Sequence, residues 1–340
     1  MPGVKRYVWL DLIKSLACFL VIVNHSHSWI MRAGVTNGTV LFDAVIFSIS
    51  KIAVPLFVMT TGYLLLQKEV TWKKTFLRIS RVGAPLLVLS VYYYCKSNGE
   101  SGTILNFLRQ FVETPQAAFL WYLYMLIGLY LAMPFVIKIV KNSSDFELIV
   151  FAILFLIIPA GASFITSVFH YRFHSDFFAA FFPTAIGYLV AGFVFARIPL
   201  KPKYFYGSVI LFTVAILVFV LSILIPYTKI GEIKYIFDTW QSLPVMMASL
   251  SAFYSFRYIF ENGKFKDTTA KVISEISGTT FGIYLIHISV IDRVFYSNIF
   301  QRLFSLNPFI GVIAAQSASF IICGGIIFVL KKIPGVKWFL

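Results

Sequence analysis

Charged side chains are scarce in this sequence. They make up 13% of its 340 residues, where an ordinary soluble domain carries roughly 25%. Acidic residues are scarcer still, 14 against 29 lysines and arginines. Cysteine is limited to Cys18, Cys95 and Cys323, scattered without the spacing of a metal site or a disulfide framework, and reads as a small buried apolar residue. No polar stretch is long enough to form a separate soluble domain, and no convincing repeat relates the two halves. The small-residue cleavage site of a signal peptide is missing too. The apolar run after Lys5 and Arg6 is too long for a secretory leader and is read as a first permanent span. Together these absences exclude a soluble enzyme and a disulfide scaffold.

What the chain has is apolar length. Hydrophobic residues reach 59%, and they gather into ten runs near the roughly 20 residues that cross a bilayer: 7–30, 42–66, 78–95, 118–139, 147–168, 177–196, 205–226, 235–255, 277–297 and 308–330. The net charge of +15 invites a nucleic-acid partner, but its distribution explains it without one. With the N-terminus in the cytoplasm, nineteen cations fall on the inner side and eight on the outer, with Lys14 and Lys51 inside runs. That bias is the positive-inside pattern. The expected fold is therefore an all-α integral membrane protein, a single domain over residues 1–340 built as a bundle of about ten transmembrane helices with both termini cytoplasmic. Trp and Tyr near the run ends, such as Trp29, Trp121, Tyr122 and Trp240, read mostly as interface anchors.

Within the first run stand Asp11, Lys14 and His25. An ionisable side chain at membrane depth is costly and faces a polar interior as a rule. From Lys14 to His25 is about three turns plus 20°, so the two share a face about 16 Å apart along the axis, with Asp11 one turn below Lys14 and His27 about 200° away from His25. His25 sits late in this helix, in the outer leaflet, where a histidine can take a proton from an alcohol. The blander reading is a histidine bonded to a neighbouring helix, and Lys14 on the same stripe weighs against it. Asp11 and Lys14 read equally as a structural i,i+3 ion pair or as rungs of a polar tunnel.

Four further groups stand out. Arg78 and Arg81, with Lys73 and Lys74, form an inner cluster whose guanidinium forks match phosphate oxygens, although positive-inside anchoring accounts for them as well. Thr60, Thr61 and Gly62 make a small hydroxyl-bearing patch for a neighbouring helix or a thin ligand. The run Ser277 to His287 has small residues below a histidine near mid-membrane, with Tyr284 one turn away and Asp292 and Arg293 above as a candidate pair. His170, Arg172, His174 and Asp176 lie in an outer loop that can meet a polar acceptor, a solvated loop being the ordinary state. No metal site is expected among them.

Taken in order, these segments resemble the membrane-bound acyltransferase-3 family, which includes polysaccharide O-acetyltransferases, over essentially the whole chain. Asp11-Leu-Ile-Lys14 to His25 is similar to the family's basic residue, ten spacers and histidine, with Lys14 where Arg is commoner. Pro55 to Tyr63 resembles its Phe-rich Ser-Gly-Tyr/Phe run, with Thr61 for Ser. Arg78-Ile-Ser-Arg81 ahead of Pro85, Trp121-Tyr122-Leu-Tyr124, and the run ending in His287 are similar to three further segments. The resemblance implies an acyl donor, acetyl-CoA or another acyl-CoA, bound from the cytoplasm. It implies donor contacts at Lys14, Thr61, Arg78, Arg81 and His287, with Asp11 orienting or pairing. It places His25 at the transfer point, serving the hydroxyl of a glycan or lipid-linked sugar on the outer face of a bacterial inner membrane. Direct transfer is expected, since no Ser or Cys beside a base is evident. No metal and no nucleic acid are expected, and the oligomeric state stays open, a homo-oligomer included. A transporter or glycan flippase is the rival class, since intramembrane charges and glycine-interrupted helices suit it too, and the lack of a repeat argues against it. The acceptor, the acyl group, and the roles of His27, His170 and His174 stay undetermined.

Overall fold

The computed structural model describes residues 7–98, 102–170, 183–263, 265–336 and 339. Arg172, His174 and Asp176, the first part of the 177–196 run, and Lys5, Arg6, Lys264 and Lys337 of the charge count lie outside the described residues. Every regular element among them is helical. The helices are α1 (Val8–Asn24), α2 (Asn37–Ser50), α3 (Ala53–Leu65), α4 (Trp72–Asn98), α5 (Ile104–Glu113), α6 (Trp121–Asn142) and α7 (Asp145–Phe169), then α8 (Thr184–Phe195), α9 (Pro202–Ile230), α10 (Leu243–Phe260), α11 (Asp267–Phe295), α12 (Asn298–Leu306) and α13 (Pro308–Leu330). Short 3-10 helices cover His27–Ala33 and Ala118–Leu120. The chain divides into two compact units: Met1–Leu64 with Asp145–Leu330, and Leu65–Ser144 with Lys331–Leu340.

Among the described residues, seven stretches are long and apolar enough to cross a membrane: Val8–Ala33, Asn37–Leu65, Trp72–Ser97, Ala118–Asn142, Asp145–Phe169, Pro202–Ile230 and Pro308–Leu330. The shorter apolar α8 stands beside them. α10 and α11 fall outside the seven for a physical reason. Their polar residues Ser249, Ser251 and Arg257, and Ser277, Thr279, Thr280 and His287, are buried within the protein. A helix whose polar residues face a protein interior loses mean hydropathy without gaining contact with water.

The run 42–66 is not one continuous helix. Pro55 has no N–H to offer the carbonyl of Lys51 four residues back, so the hydrogen-bond ladder loses a rung there. α2 ends at Ser50 and α3 begins at Ala53. The start of α2 is fixed by a capping box, in which the Thr36 hydroxyl accepts from the Thr39 amide at 3.2 Å and the Thr39 hydroxyl accepts from the Thr36 amide at 2.9 Å. α1 ends where Ser26 turns its hydroxyl back onto the Ile22 carbonyl at 2.7 Å, and the chain tightens into the 3-10 helix that closes at Gly34, φ 106°.

In the larger unit, neighbouring helices alternate in direction. The start of α1 meets the end of α3 through Trp9 and Tyr63, ring centroids 5.0 Å apart, and the later part of α10 through Phe253 at 5.5 Å. The start of α9 meets the end of α10, where Ser208 and Ser255 share a 2.7 Å hydrogen bond. The end of α8 meets the start of α7 through the Arg197–Asp145 ion pair. α1 and α11, by contrast, run parallel along a common seam. In the smaller unit the start of α4 lies against the end of α6, with Trp72 and Phe135 at 5.7 Å.

Two glycines set the closest approach. A Cβ on Gly62 would lie 1.8 Å from the Leu189 carbonyl oxygen, and one on Gly192 2.0 Å from that of Met59. α3 and α8 therefore touch backbone to backbone at two reciprocal points, the use of small residues typical of membrane helices. At the α1-start end of this unit, the buried Arg257 donates to the Ile198 carbonyl at 2.8 Å and to that of Phe195, and pairs with Glu261 at 2.8 Å. Glu261 also accepts from the Tyr63 hydroxyl at 3.3 Å. The guanidinium thus satisfies carbonyls that the end of α8 leaves without helical partners.

Candidate functional site

The polar groups of α1 line up on α11. Asp11, 4% exposed, takes Lys14 Nζ and the Ser277 hydroxyl on the same oxygen, each at 2.7 Å. Two turns on, the Cys18 thiol lies 3.5 Å from the Thr280 carbonyl oxygen. At the end of α1 the His25 and His287 rings stand 5.0 Å apart at 49°. Beyond them Trp29 meets Phe295 at 4.6 Å. Positions rising along both helices meet in the same order, which is why the two run parallel.

His25 is the C-cap of α1, its amide still bonded to the Val21 and Ile22 carbonyls at 3.1 and 3.2 Å, and the residue is exposed. Among the described residues no side chain hydrogen-bonds its imidazole. His287 is the opposite case, fully buried, with Nδ1 at 2.6 Å from the Tyr284 carbonyl and its ring beside that of Tyr284 at 5.6 Å. One histidine is anchored, and the other presents itself to whatever enters.

The structure brings Asp11, Lys14, His25 and His287 into one seam of the larger unit. Lys14 forms the ion pair with Asp11, so its charge is engaged locally. Thr61 is half-buried and donates its hydroxyl to the Phe57 carbonyl in its own helix at 2.9 Å. The small patch around it is filled at Gly62 by the backbone of α8. Arg78 and Arg81 stand one turn apart near the start of α4 in the smaller unit, Arg78 half-buried with Nη1 4.0 Å from Met133 Sδ, Arg81 exposed. Nearby Lys141 bonds Glu69 at 3.0 Å, which lowers the pKa of that exposed carboxylate. Asp292 and Arg293 are exposed and do not pair with each other, since adjacent residues on a helix do not face each other. His170 ends α7 with φ 58°.

One cluster escaped the sequence reading. Asp43, 0% exposed, accepts from His27 Nδ1 at 2.7 Å and from the Tyr235 hydroxyl at 2.7 Å. Beside it Lys51 pairs with Asp238 and lies 4.3 Å over the Phe47 ring. Asp43 is a carboxylate inside an apolar run, so the rule that singled out Asp11 and Lys14 applies to it equally. Among the described residues no group of three or more His, Cys, Asp or Glu side chains is placed to hold a metal ion.

Parallel helices joined by a polar seam, inside an apolar helical bundle, define a multi-pass membrane protein with an ionisable interior. Residues 7–328 match the family model described as an acyltransferase domain, and the chain belongs to the acyltransferase-3 family. No curated protein and no solved structure matches it. The protein is a membrane acyltransferase by family.

Proposed function

We propose that this acyltransferase takes an acyl group, most simply acetyl, from a cytoplasmic coenzyme A thioester and delivers it to a hydroxyl of a glycan or lipid-linked sugar on the outer side of a bacterial inner membrane. The observation that carries the reading is the exposed His25 imidazole at the end of the α1–α11 seam, held beside the buried His287. Its neighbours leave it unbonded, as a group that must take up a proton requires. The inner cations Arg78 and Arg81 are suited to the phosphates of the donor. The cation bias of the connecting segments supports ten crossings with both termini in the cytoplasm, and on that reading His25 lies on the outer side.

The reaction needs no cofactor chemistry. His25 takes the proton of the acceptor hydroxyl, the oxygen attacks the thioester carbonyl, the C–S bond breaks and the coenzyme A thiolate leaves. Direct transfer is favoured because, among the described residues, no base bonds the buried Cys18 or Cys323, and Cys18 Sγ faces a backbone carbonyl. The test is His25→Ala expressed in a strain lacking the native gene. Ester-linked acetate on the surface glycan should disappear, and its persistence at the wild-type level would remove His25 from the chemistry.

A further inference from the structure

His27 is built differently from His25, two residues away. Its Nδ1 is committed to Asp43 at 2.7 Å, and the second oxygen of that carboxylate is held by Tyr235 at 2.7 Å. The His27 ring lies against Phe47 at 4.2 Å and 32°, and Tyr235 meets it edge-on at 5.7 Å. Turning the ring would break the bond to a carboxylate that is 0% exposed, so the imidazole is locked. An ionised carboxylate only accepts, so Nδ1 carries a proton and Nε2 is the ring nitrogen left over for a ligand. The side chain stays 13% exposed, and His27 follows His25 by two residues just past the end of α1. The Ser50 hydroxyl, 3.3 Å from Asn24 Oδ1, ties the end of α2 to the end of α1 at this level. On the same rim Asp238, 61% exposed and paired with Lys51, adds a carboxylate and a cation.

Two imidazoles two residues apart in the chain thus stand at the end of α1, one unbonded and one fixed. A simple alcohol has a single hydroxyl proton and can serve only one of them. We propose that His27 is the acceptor-orienting residue: its Nε2 accepts a hydrogen bond from a second hydroxyl, next to the one that His25 deprotonates. The site then takes a polyhydroxy acceptor with neighbouring free hydroxyls, and Asp43 and Tyr235 keep the reading nitrogen in place. This rests on the assignment of His25 to the transfer point.

The experiment uses the full chain in lipid nanodiscs, with acetyl-CoA as donor and alkali-de-esterified surface polysaccharide of the source cell as acceptor. Transfer is followed against acceptor concentration, and acetyl-CoA binding by its shift of the melting temperature. His27→Ala should raise the acceptor KM about tenfold, the size of one lost hydrogen bond, with the acetyl-CoA shift unchanged. His27→Gln separates orientation from proton transfer, because the amide oxygen accepts a hydrogen bond but takes up no proton, and it should hold the KM within about threefold of wild type. An unchanged KM in His27→Ala overturns the proposal. So does a glutamine variant as inactive as the alanine one, which would make His27 a proton carrier, and so does loss of the acetyl-CoA shift in both, which would make it structural. Normal transfer by His25→Ala instead sinks the assignment of the transfer point, as does wild-type protein that binds acetyl-CoA and acetylates no hydroxyl.

Discussion

His25, His27 and His287 gather at the end of α1 in the larger unit, and their neighbours give each a different character. His287 is locked in the interior, His27 is tied to a carboxylate, and His25 is left open. The place of His25 was legible from helical spacing, because the helix continues to Asn24 and keeps the stripe with Lys14 intact. The pairing of His27 was not, because it depends on Asp43 and on Tyr235, which is 192 residues from it. Lys14 is a residue whose two readings the structure weighs. Lys14→Met should lower thermal stability by about 1–3 kcal/mol by stripping charge from buried Asp11, while Lys14→Arg should retain most of it, read as melting temperature in detergent. Arg257 should be harsher. Arg257→Ala leaves Glu261 and the carbonyls of Phe195 and Ile198 without its donors. The expected loss is about 3–5 kcal/mol, with lysine a poor rescue because it lacks the planar fork.

At the scale of elements, the described part of every apolar run is mainly helical, the 42–66 run holding two helices, but two of the sequence expectations change in character. The Thr60-Thr61-Gly62 patch predicted a close approach, and what approaches at Gly62 is the backbone of another helix. A sequence shows that a face is small without showing what fills it. Gly62→Ala and Gly192→Ala should each force α3 and α8 apart and cost about 1–3 kcal/mol or more, measured by thermal unfolding. Gly83→Ala is the control: a Cβ there meets nothing within 4 Å, and removing a mid-helix glycine should stabilise by about 0.5–1 kcal/mol. The break between α2 and α3 follows from Pro55 by elementary geometry, yet hydropathy runs straight through it. α10 and α11 show the reverse, helices whose inward polar residues hide them from a purely apolar criterion.

For the whole molecule, the sidedness of the cations is the feature of composition that predicts ten crossings with both termini in the cytoplasm. The expectation is checked by cysteine labelling in intact cells, on a Cys95→Ser background because Cys95 is exposed while Cys18 and Cys323 are buried. Gly231→Cys should react with an impermeant maleimide from outside, and Glu69→Cys only after the membrane is opened. Equal labelling of both from outside would end the ten-crossing reading. The α1–α11 seam also bears on how the chain is made. Ser277 leaves the ribosome 266 residues after Asp11, a delay on the order of 13–53 s at about 5–20 residues per second. Lys14, one turn from Asp11, is synthesised within a second of it. The nascent first segment therefore brings its own counter-ion into the bilayer, and the insertion machinery never has to accept a solitary carboxylate while the distant partner is still being translated.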